Sequence, residues 1–141
     1  MTLESNNHSV FLMKYQLVLT VKYRRKVINE SVAKRLHEMF LYISPTYNIT
    51  LNEWHAAEDH IHVAFNAEPN SEISKFINAF KSSSSRMVKK ENPEIIDLLF
   101  EGTFWAQTFC LLTEGEIPPG VFNEYLNTQY ERKITRRKRR Y

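Results

Sequence analysis

The chain has 141 residues, 43% of them hydrophobic, and one cysteine, Cys110. This length supports one ordinary domain with its own core, and a single cysteine excludes an internal disulfide. We expect a cytoplasmic protein that does not enter membranes, because the sequence contains neither a leading signal segment nor a long apolar stretch.

Basic residues are concentrated at the end of the chain. The net charge is +3, and seven of the 19 Lys and Arg residues fall in the last ten positions, which leaves 12 basic against 16 acidic residues in the remainder. We therefore predict one domain over residues 1–131, followed by a basic tail over residues 132–141. Such a tail suits a polyanion such as nucleic acid, although a solubilising end is the simpler alternative.

Apolar periodicity predicts four strands and three helices. The strands are expected at residues 10–21, 49–57, 60–67 and 103–112. The first helix follows a cap at Asn29 or Ser31 and ends near Ile43, and the second follows a cap at Ser71. The last helix starts near Val121, after the glycine- and proline-containing linker TEGEIPPG, and runs into the basic tail.

The order of these elements predicts an α+β fold. Strand, helix, hairpin, helix and strand in that order fit a four-stranded antiparallel sheet with two helices on one face, as in ferredoxin-like and RNA-recognition folds. This arrangement leaves the second face of the sheet open. The last helix, which arrives through the linker, is the candidate to cover that face.

The segment DHIHVAF carries two histidines on one predicted strand. Side chains alternate between the two faces of a strand, so Ile61 and Val63 share one face, and His60 and His62 share the other. The two histidines are thus expected side by side on the open face, close enough to bind one metal ion. Two half-exposed polar residues on a solvated face are the alternative.

A second pair of polar residues lies in the last predicted helix. Tyr125 and Gln129 are four residues apart and share one helix face. Tyrosine can act as a covalent nucleophile, and a glutamine carbonyl is a hard oxygen ligand for a divalent cation. If the helix covers the open sheet face, this pair lies above His60 and His62. A buried tyrosine with a surface glutamine is the alternative.

The HxH motif followed by YxxxQ late in a short chain resembles the single-tyrosine HUH transposases, the TnpA-like enzymes of small insertion sequences that move as single-stranded DNA. The segments YQLVLTVKYRRKVI, AEDHIHVAF, KSSSSR and TFWAQTFCLLTEG are similar to further segments of that family, so the resemblance covers most of the chain. The chain departs from the family at Ser82, where glycine is usual, at Leu126, which replaces a frequent isoleucine, and near Gly115, where a second glycine is common.

The resemblance implies a metal site at His60, His62 and Gln129, with Tyr125 as the nucleophile. The implied activity is cleavage and rejoining of single-stranded DNA at insertion-sequence ends through a 5′-phosphotyrosine intermediate. The implied cofactor is Mg²⁺ or Mn²⁺, and imidazole ligands favour manganese. The implied partners are hairpin ends of a mobile element and a second copy of the chain, whose last helix can dock on the neighbouring metal site.

Two basic clusters are candidates for contacts with DNA phosphates. One follows the first strand and the other lies on the second helix. For each of these residues an ordinary solvated charge is an equally good interpretation, and Tyr23 is included because it can stack on unpaired bases. The candidates are Lys22, Tyr23, Arg24, Arg25, Lys26, Lys81 and Arg86.

Three other functions remain open from the residues. A non-catalytic module that binds single-stranded nucleic acid would explain the aromatic residues and the tail, but not the histidine, tyrosine and glutamine together. A structural zinc protein is disfavoured because the chain has no cysteine cluster. A domesticated relative that processes chromosomal repeat hairpins would use the same chemistry as the transposase.

Overall fold

The computed structural model describes residues 12–131. Within this range the chain forms four β-strands and three α-helices, joined by short 3₁₀ turns. The elements in chain order are β1 (Met13–Thr20), α1 (Glu30–Ile43), β2 (Ile49–Ala56), β3 (His60–Ala67), α2 (Ile73–Glu91), β4 (Cys110–Thr113) and α3 (Val121–Asn127). The predicted basic tail, residues 132–141, lies outside the described residues.

The four strands form one antiparallel sheet in the order β2-β3-β1-β4. This order, with α1 and α2 packed on one face of the sheet, is that of a ferredoxin-like fold and confirms the predicted fold class. No helix within residues 12–131 has the length and apolar character needed to cross a bilayer.

The hydrophobic core lies between the sheet and the first two helices. Leu17 and Leu19 of β1 and Ile61 and Val63 of β3 are all at most 1% exposed, as the alternation of strand side chains requires. The Phe40 ring of α1 lies at the centre, with ring centroids 5.0 Å from Phe76 and 5.4 Å from Phe80 of α2. This packing fixes which face of the sheet stays free of α1 and α2.

Local signals placed the start of α1 and the whole of β3 correctly. The Asn29 side chain accepts a hydrogen bond from the Val32 N–H at 2.9 Å, as expected for an N-cap residue. β3 spans residues 60–67 as predicted, and it pairs with β2 in a hairpin.

The predicted cap of α2 is wrong. The Ser71 hydroxyl accepts from the Glu68 N–H and donates to the Asn48 carbonyl, so it stabilises the preceding turn. The helix begins after Glu72, whose side chain makes no capping hydrogen bond. Serine suits both turns and caps, and the tertiary contact with Asn48 selects the turn.

The fourth strand is shorter than predicted, because the segment over 103–112 is divided. Thr103 forms only an isolated bridge with Phe100, so the first part of this segment makes no continuous ladder with the sheet. Trp105 forms an isolated bridge with Val21, and the regular strand begins only at Cys110. The aromatic pair, which suggested a strand, is instead buried in an irregular segment.

The last helix is also shorter than predicted. α3 ends at Asn127, and the Thr128 hydroxyl donates to the Tyr125 carbonyl at 2.6 Å. Gln129 therefore lies beyond the helix, in a turn, and Tyr125 and Gln129 do not share a regular helix face. A side chain that bonds to its own backbone competes with continuation of the helix.

Candidate active site

His60 and His62 lie on the sheet face opposite the core. The strand register sets His60 beside Thr20 and His62 beside Val18, and both histidine side chains are partly buried. Ile61, between them, is completely buried under α1 and α2. The predicted shared face of the two histidines is therefore confirmed.

The ring of His60 is oriented by a buried carboxylate. Its Nδ1 lies 2.8 Å from Asp59 Oδ1, and the Asp59 side chain is only 7% exposed. The second carboxylate oxygen accepts from Arg24 Nε at 2.9 Å. An ionised carboxylate only accepts hydrogen bonds, so His60 Nδ1 carries the proton and Nε2 keeps its lone pair. Metal-binding histidines commonly have such a carboxylate partner.

The ring of His62 is oriented by an amide on the neighbouring strand. Its Nε2 lies 2.7 Å from Gln16 Oε1, while Gln16 Nε2 donates to Glu114 at 3.4 Å. Because the Glu114 carboxylate accepts, the amide turns its oxygen to the imidazole, and His62 Nε2 is the protonated nitrogen. Burial, followed by His55 and His60, lowers the pKa of His62. The neutral ring is the form that binds metals.

α3 covers part of this face, as expected. The Phe122 ring packs on His62 with a centroid distance of 4.6 Å. Tyr125 points its hydroxyl at Thr108, with 3.3 Å between the two oxygens. The Leu126 carbonyl accepts from Arg24 Nη1 at 3.4 Å, which connects the helix to the segment after β1.

The predicted third ligand and the nucleophile form their described hydrogen bonds with residues other than the two histidines. Gln129 donates through Nε2 to the Thr128 hydroxyl, and it lines a cavity of about 190 Å³ together with Lys22 and Tyr23. No hydrogen bond among residues 12–131 joins Tyr125 or Gln129 to His60 or His62. The structure shows a common sheet face for two of the three predicted ligands, His60 and His62.

Two imidazoles on one face suit a divalent ion such as Mn²⁺, but they do not complete a site. No group of three or more His, Cys, Asp or Glu side chains within residues 12–131 has an arrangement that could hold a metal. The Thr20 hydroxyl, opposite His60, is buried and lacks a hydrogen-bond partner. The two imidazoles thus fit a metal in part, and a complete site would need further oxygen ligands.

The basic cluster after β1 is only partly directed to solvent. Lys22 lies over the Tyr23 ring, 5.0 Å from its centroid, and Tyr23 packs edge-on against Phe100. Arg24 donates a hydrogen bond to the Asp59 carboxylate, whereas Lys26 is exposed. Arg25 forms an exposed ion pair with Glu131 at 3.4 Å.

The second basic cluster lines a cleft of about 680 Å³ between α2 and residues 101–105. Lys81 donates to the Gln107 carbonyl at 3.1 Å, and burial lowers the pKa of its amine. Arg86 is exposed and also lines the cleft. Together with Lys89, these residues make the cleft a cationic surface.

Several site contacts were not predicted from the sequence. Gln16 lies on the open face of β1 by simple alternation, so its position was accessible from the strand pattern. Phe122 lies three residues before Tyr125, on the same helix. The contacts of Arg24 and Thr108 carry no local signal, because each joins segments far apart in the chain.

The four-stranded sheet with His60 and His62 on one face is the arrangement that the resemblance to the TnpA-like single-tyrosine transposases predicts. The model of the IS200-like transposases matches residues 9–129, which is most of the chain. The chain therefore belongs to the IS200-like transposase family, and the predicted resemblance is confirmed.

Relatives and solved structures agree with this assignment. The chain is 27% identical over 123 residues to the ISDra2 transposase TnpA of Deinococcus radiodurans, covering 87% of this chain and 88% of the relative. A crystal structure from Deinococcus radiodurans R1, described as that of a transposase, has a TM-score of 0.76 at 23% identity and covers 87% and 95% of the two chains.

A REP-associated tyrosine transposase bound to a REP hairpin is a more distant structural neighbour. Its TM-score is 0.57 at 10% identity, with 83% of this chain and 64% of that chain covered. At these identities, the two solved structures are similar to this chain in fold alone.

Proposed function

We propose that this transposase cleaves and rejoins single-stranded DNA at the ends of an insertion sequence, with Tyr125 forming a covalent bond to DNA. The observation that carries the proposal is the packing of α3 on the histidine face. Phe122, three residues before Tyr125, packs on His62 with 4.6 Å between the ring centroids. Membership of the IS200-like family supports the same chemistry.

The proposed reaction exchanges one phosphate ester for another. Tyr125 Oη attacks the scissile phosphorus, an Oη–P bond forms, and the bond from phosphorus to the 3′ oxygen breaks. The phenolic proton leaves the hydroxyl, and the departing 3′ oxygen takes up a proton. The product is a 5′-phosphotyrosine. Because this ester conserves the energy of the broken bond, a second 3′-hydroxyl can reverse the step without ATP.

His60 and His62 are the proposed metal ligands, with Gln129 as the third. Asp59 and Gln16 hold the two imidazole rings and leave one nitrogen lone pair on each. A bound Mg²⁺ or Mn²⁺ would neutralise negative charge on the non-bridging phosphate oxygens. Neutral imidazole at His62, favoured by its burial, suits this role.

We also propose that a homodimer completes the site, with α3 of one subunit taking on the other subunit's histidine face the position that it has here on its own. Within its own subunit, the Tyr125 hydroxyl contacts Thr108, and Gln129 contacts Thr128. Mixing inactive Tyr125→Phe and His60→Ala proteins should then restore cleavage. In the mixed dimer, one site combines the intact histidines of the Tyr125→Phe subunit with the intact tyrosine of the His60→Ala subunit. A mixture that stays inactive would contradict the exchange between subunits.

The DNA partner proposed is a hairpin end of the mobile element. Support comes from the cationic cleft around Lys81 and Arg86 and from the distant neighbour that carries a hairpin. The segment after β1 offers further contacts to phosphates and bases. The residues proposed there are Lys22, Tyr23, Arg25 and Lys26.

Covalent capture of DNA tests the proposed activity. The protein is incubated with Mn²⁺ and single-stranded oligonucleotides that carry candidate ends, and adducts are separated under denaturing conditions. Tyr125→Phe should abolish the adduct, and His60→Ala or chelation of the metal should strongly reduce it. Tyr42→Phe is the matched control, because Tyr42 is 84% exposed on α1. An adduct that persists in Tyr125→Phe would refute the nucleophile.

A further inference from the structure

The segment after β1 contains a strained turn. Tyr23 and Arg24 both have φ angles of 56°, a left-handed backbone conformation that side chains with a Cβ seldom adopt. Two such residues in succession persist only where surrounding contacts hold them, and this type of strain is frequent at functional sites. Backbone hydrogen bonds from Arg24 N–H to the Val21 carbonyl and from Arg25 N–H to the Lys22 carbonyl close the turn, and the Arg24 side chain adds further contacts.

The Arg24 guanidinium joins three separate parts of the molecule. Nε donates to Asp59 Oδ2 at 2.9 Å, and Nη1 donates to the Leu126 carbonyl of α3 at 3.4 Å. Its central carbon lies 4.4 Å from the centroid of the Tyr130 ring. The side chain is only 15% exposed. Arginine suits this position because its planar fork makes several directed bonds at once.

Asp59 extends this connection to the histidine face. One carboxylate oxygen accepts from Arg24, and the other lies 2.8 Å from His60 Nδ1. The carboxylate is nearly inaccessible, so it has little water to replace either partner. A continuous path of directed contacts therefore runs from the carbonyl of Leu126, through Arg24 and Asp59, to the ring of His60.

We propose that Arg24 and Asp59 are positioning residues that couple the seat of α3 to the orientation of the His60 ring. Asp59 keeps His60 protonated at Nδ1 and so presents Nε2, while Arg24 holds Asp59 and α3 at the same time. The metal-binding part of this role rests on the proposed function, whereas the seating of α3 does not. Arg24 thus acts inside the molecule, unlike the exposed Lys26.

Two measurements on Arg24→Gln test the coupling. Hydrogen exchange of the amides of Thr128 and Gln129, which bond to Tyr125 and Leu126, should become faster because α3 is released. Titration with Mn²⁺ by calorimetry should give an affinity about tenfold weaker, because Asp59, the direct partner of His60, is no longer held by Arg24, and loss of such a partner's support costs roughly ten- to a hundredfold. Arg35→Gln is the matched control, because Arg35 Nε pairs with Glu91 at 3.0 Å on the distant helices.

A conservative variant separates the two roles. Arg24→Lys keeps a positive charge beside Asp59 but lacks the second guanidinium nitrogen, which donates to the Leu126 carbonyl. Mn²⁺ affinity should therefore approach that of the wild-type protein, while exchange in α3 stays fast. A purely structural ion pair would not produce this split. The double variant Arg24→Gln with Asp59→Asn leaves no unpaired buried charge, so it should keep the fold and show both defects.

The outcomes separate this inference from the proposed function. Wild-type exchange in α3 and wild-type Mn²⁺ affinity in Arg24→Gln would overturn the coupling. Unchanged Mn²⁺ affinity in His60→Ala would instead refute the proposed metal site. In that case, two measurements still test the positioning roles. Hydrogen exchange of the α3 amides in Arg24→Gln tests whether Arg24 holds the helix. The ¹⁵N spectra of Arg24→Gln and Asp59→Ala show which nitrogen of His60 is protonated, and so test whether Arg24 and Asp59 orient the ring.

Discussion

Replacing one serine in the run Ser82–Ser85 should destabilise the fold, although its neighbour should tolerate the same change. Ser84 is fully buried, and its hydroxyl accepts from Trp105 Nε1 at 3.0 Å. Ser84→Ala leaves the buried indole N–H without an acceptor, which costs about 1–3 kcal/mol. The higher helix propensity of alanine offsets roughly 0.5 kcal/mol of this loss in the free energy of unfolding. The expected net loss is about 1–2 kcal/mol, or a Tm lowered by roughly 5 °C.

The exposed Ser82 provides the control on the same helix. Ser82→Ala gains helix propensity without losing a described hydrogen bond, so the Tm should stay level or rise slightly. Thermal and urea unfolding, followed by circular dichroism and tryptophan fluorescence, measure both variants. Equal Tm values for Ser84→Ala and Ser82→Ala would refute the assignment of Ser84 as the Trp105 partner.

Three further predictions address the site. In the metal-free protein, ¹⁵N spectra of the neutral imidazoles should report His60 protonated at Nδ1 and His62 at Nε2; the same tautomer in both rings would contradict the hydrogen bonds with Asp59 and Gln16. Arg86→Ala should weaken binding of single-stranded DNA and lower the salt dependence of the affinity by about one unit in the log–log slope; an unchanged slope would remove Arg86 from the DNA surface. Burial raises the pKa of Cys110, so less thiolate is present at any given pH. Alkylation of Cys110 should therefore be slower than that of glutathione, and its rate should increase only at higher pH; equal rates would contradict the burial.

The confirmed predictions rest on interactions between residues close in the chain. Alternation along β3 assigned Ile61 to the core and the flanking histidines to the opposite face. Asn29 caps α1 through the backbone of Val32, three residues away. Backbone geometry alone imposes such patterns, so one strand or one helix terminus suffices to predict them.

The incorrect boundaries share a different cause. Trp105 lies in a stretch with strong strand character, but it is buried against α2 through its bond to Ser84. Ser71 has the chemistry of a cap, yet it binds the carbonyl of Asn48. In both cases a partner more than 20 residues away overrides the local preference, and propensity contains no information about that partner.

The sequence by itself determined the sheet, the common face of His60 and His62, and a tyrosine-bearing helix after the linker. Each follows from the alternation of side chains along a strand or from the glycine and proline residues that mark a turn. Only the tertiary structure decided that Arg24 turns inward to Asp59 and that Phe122 covers His62. Those placements depend on the register between β1 and β3 and on the packing of α3, which bring together residues separated by 35 positions or more.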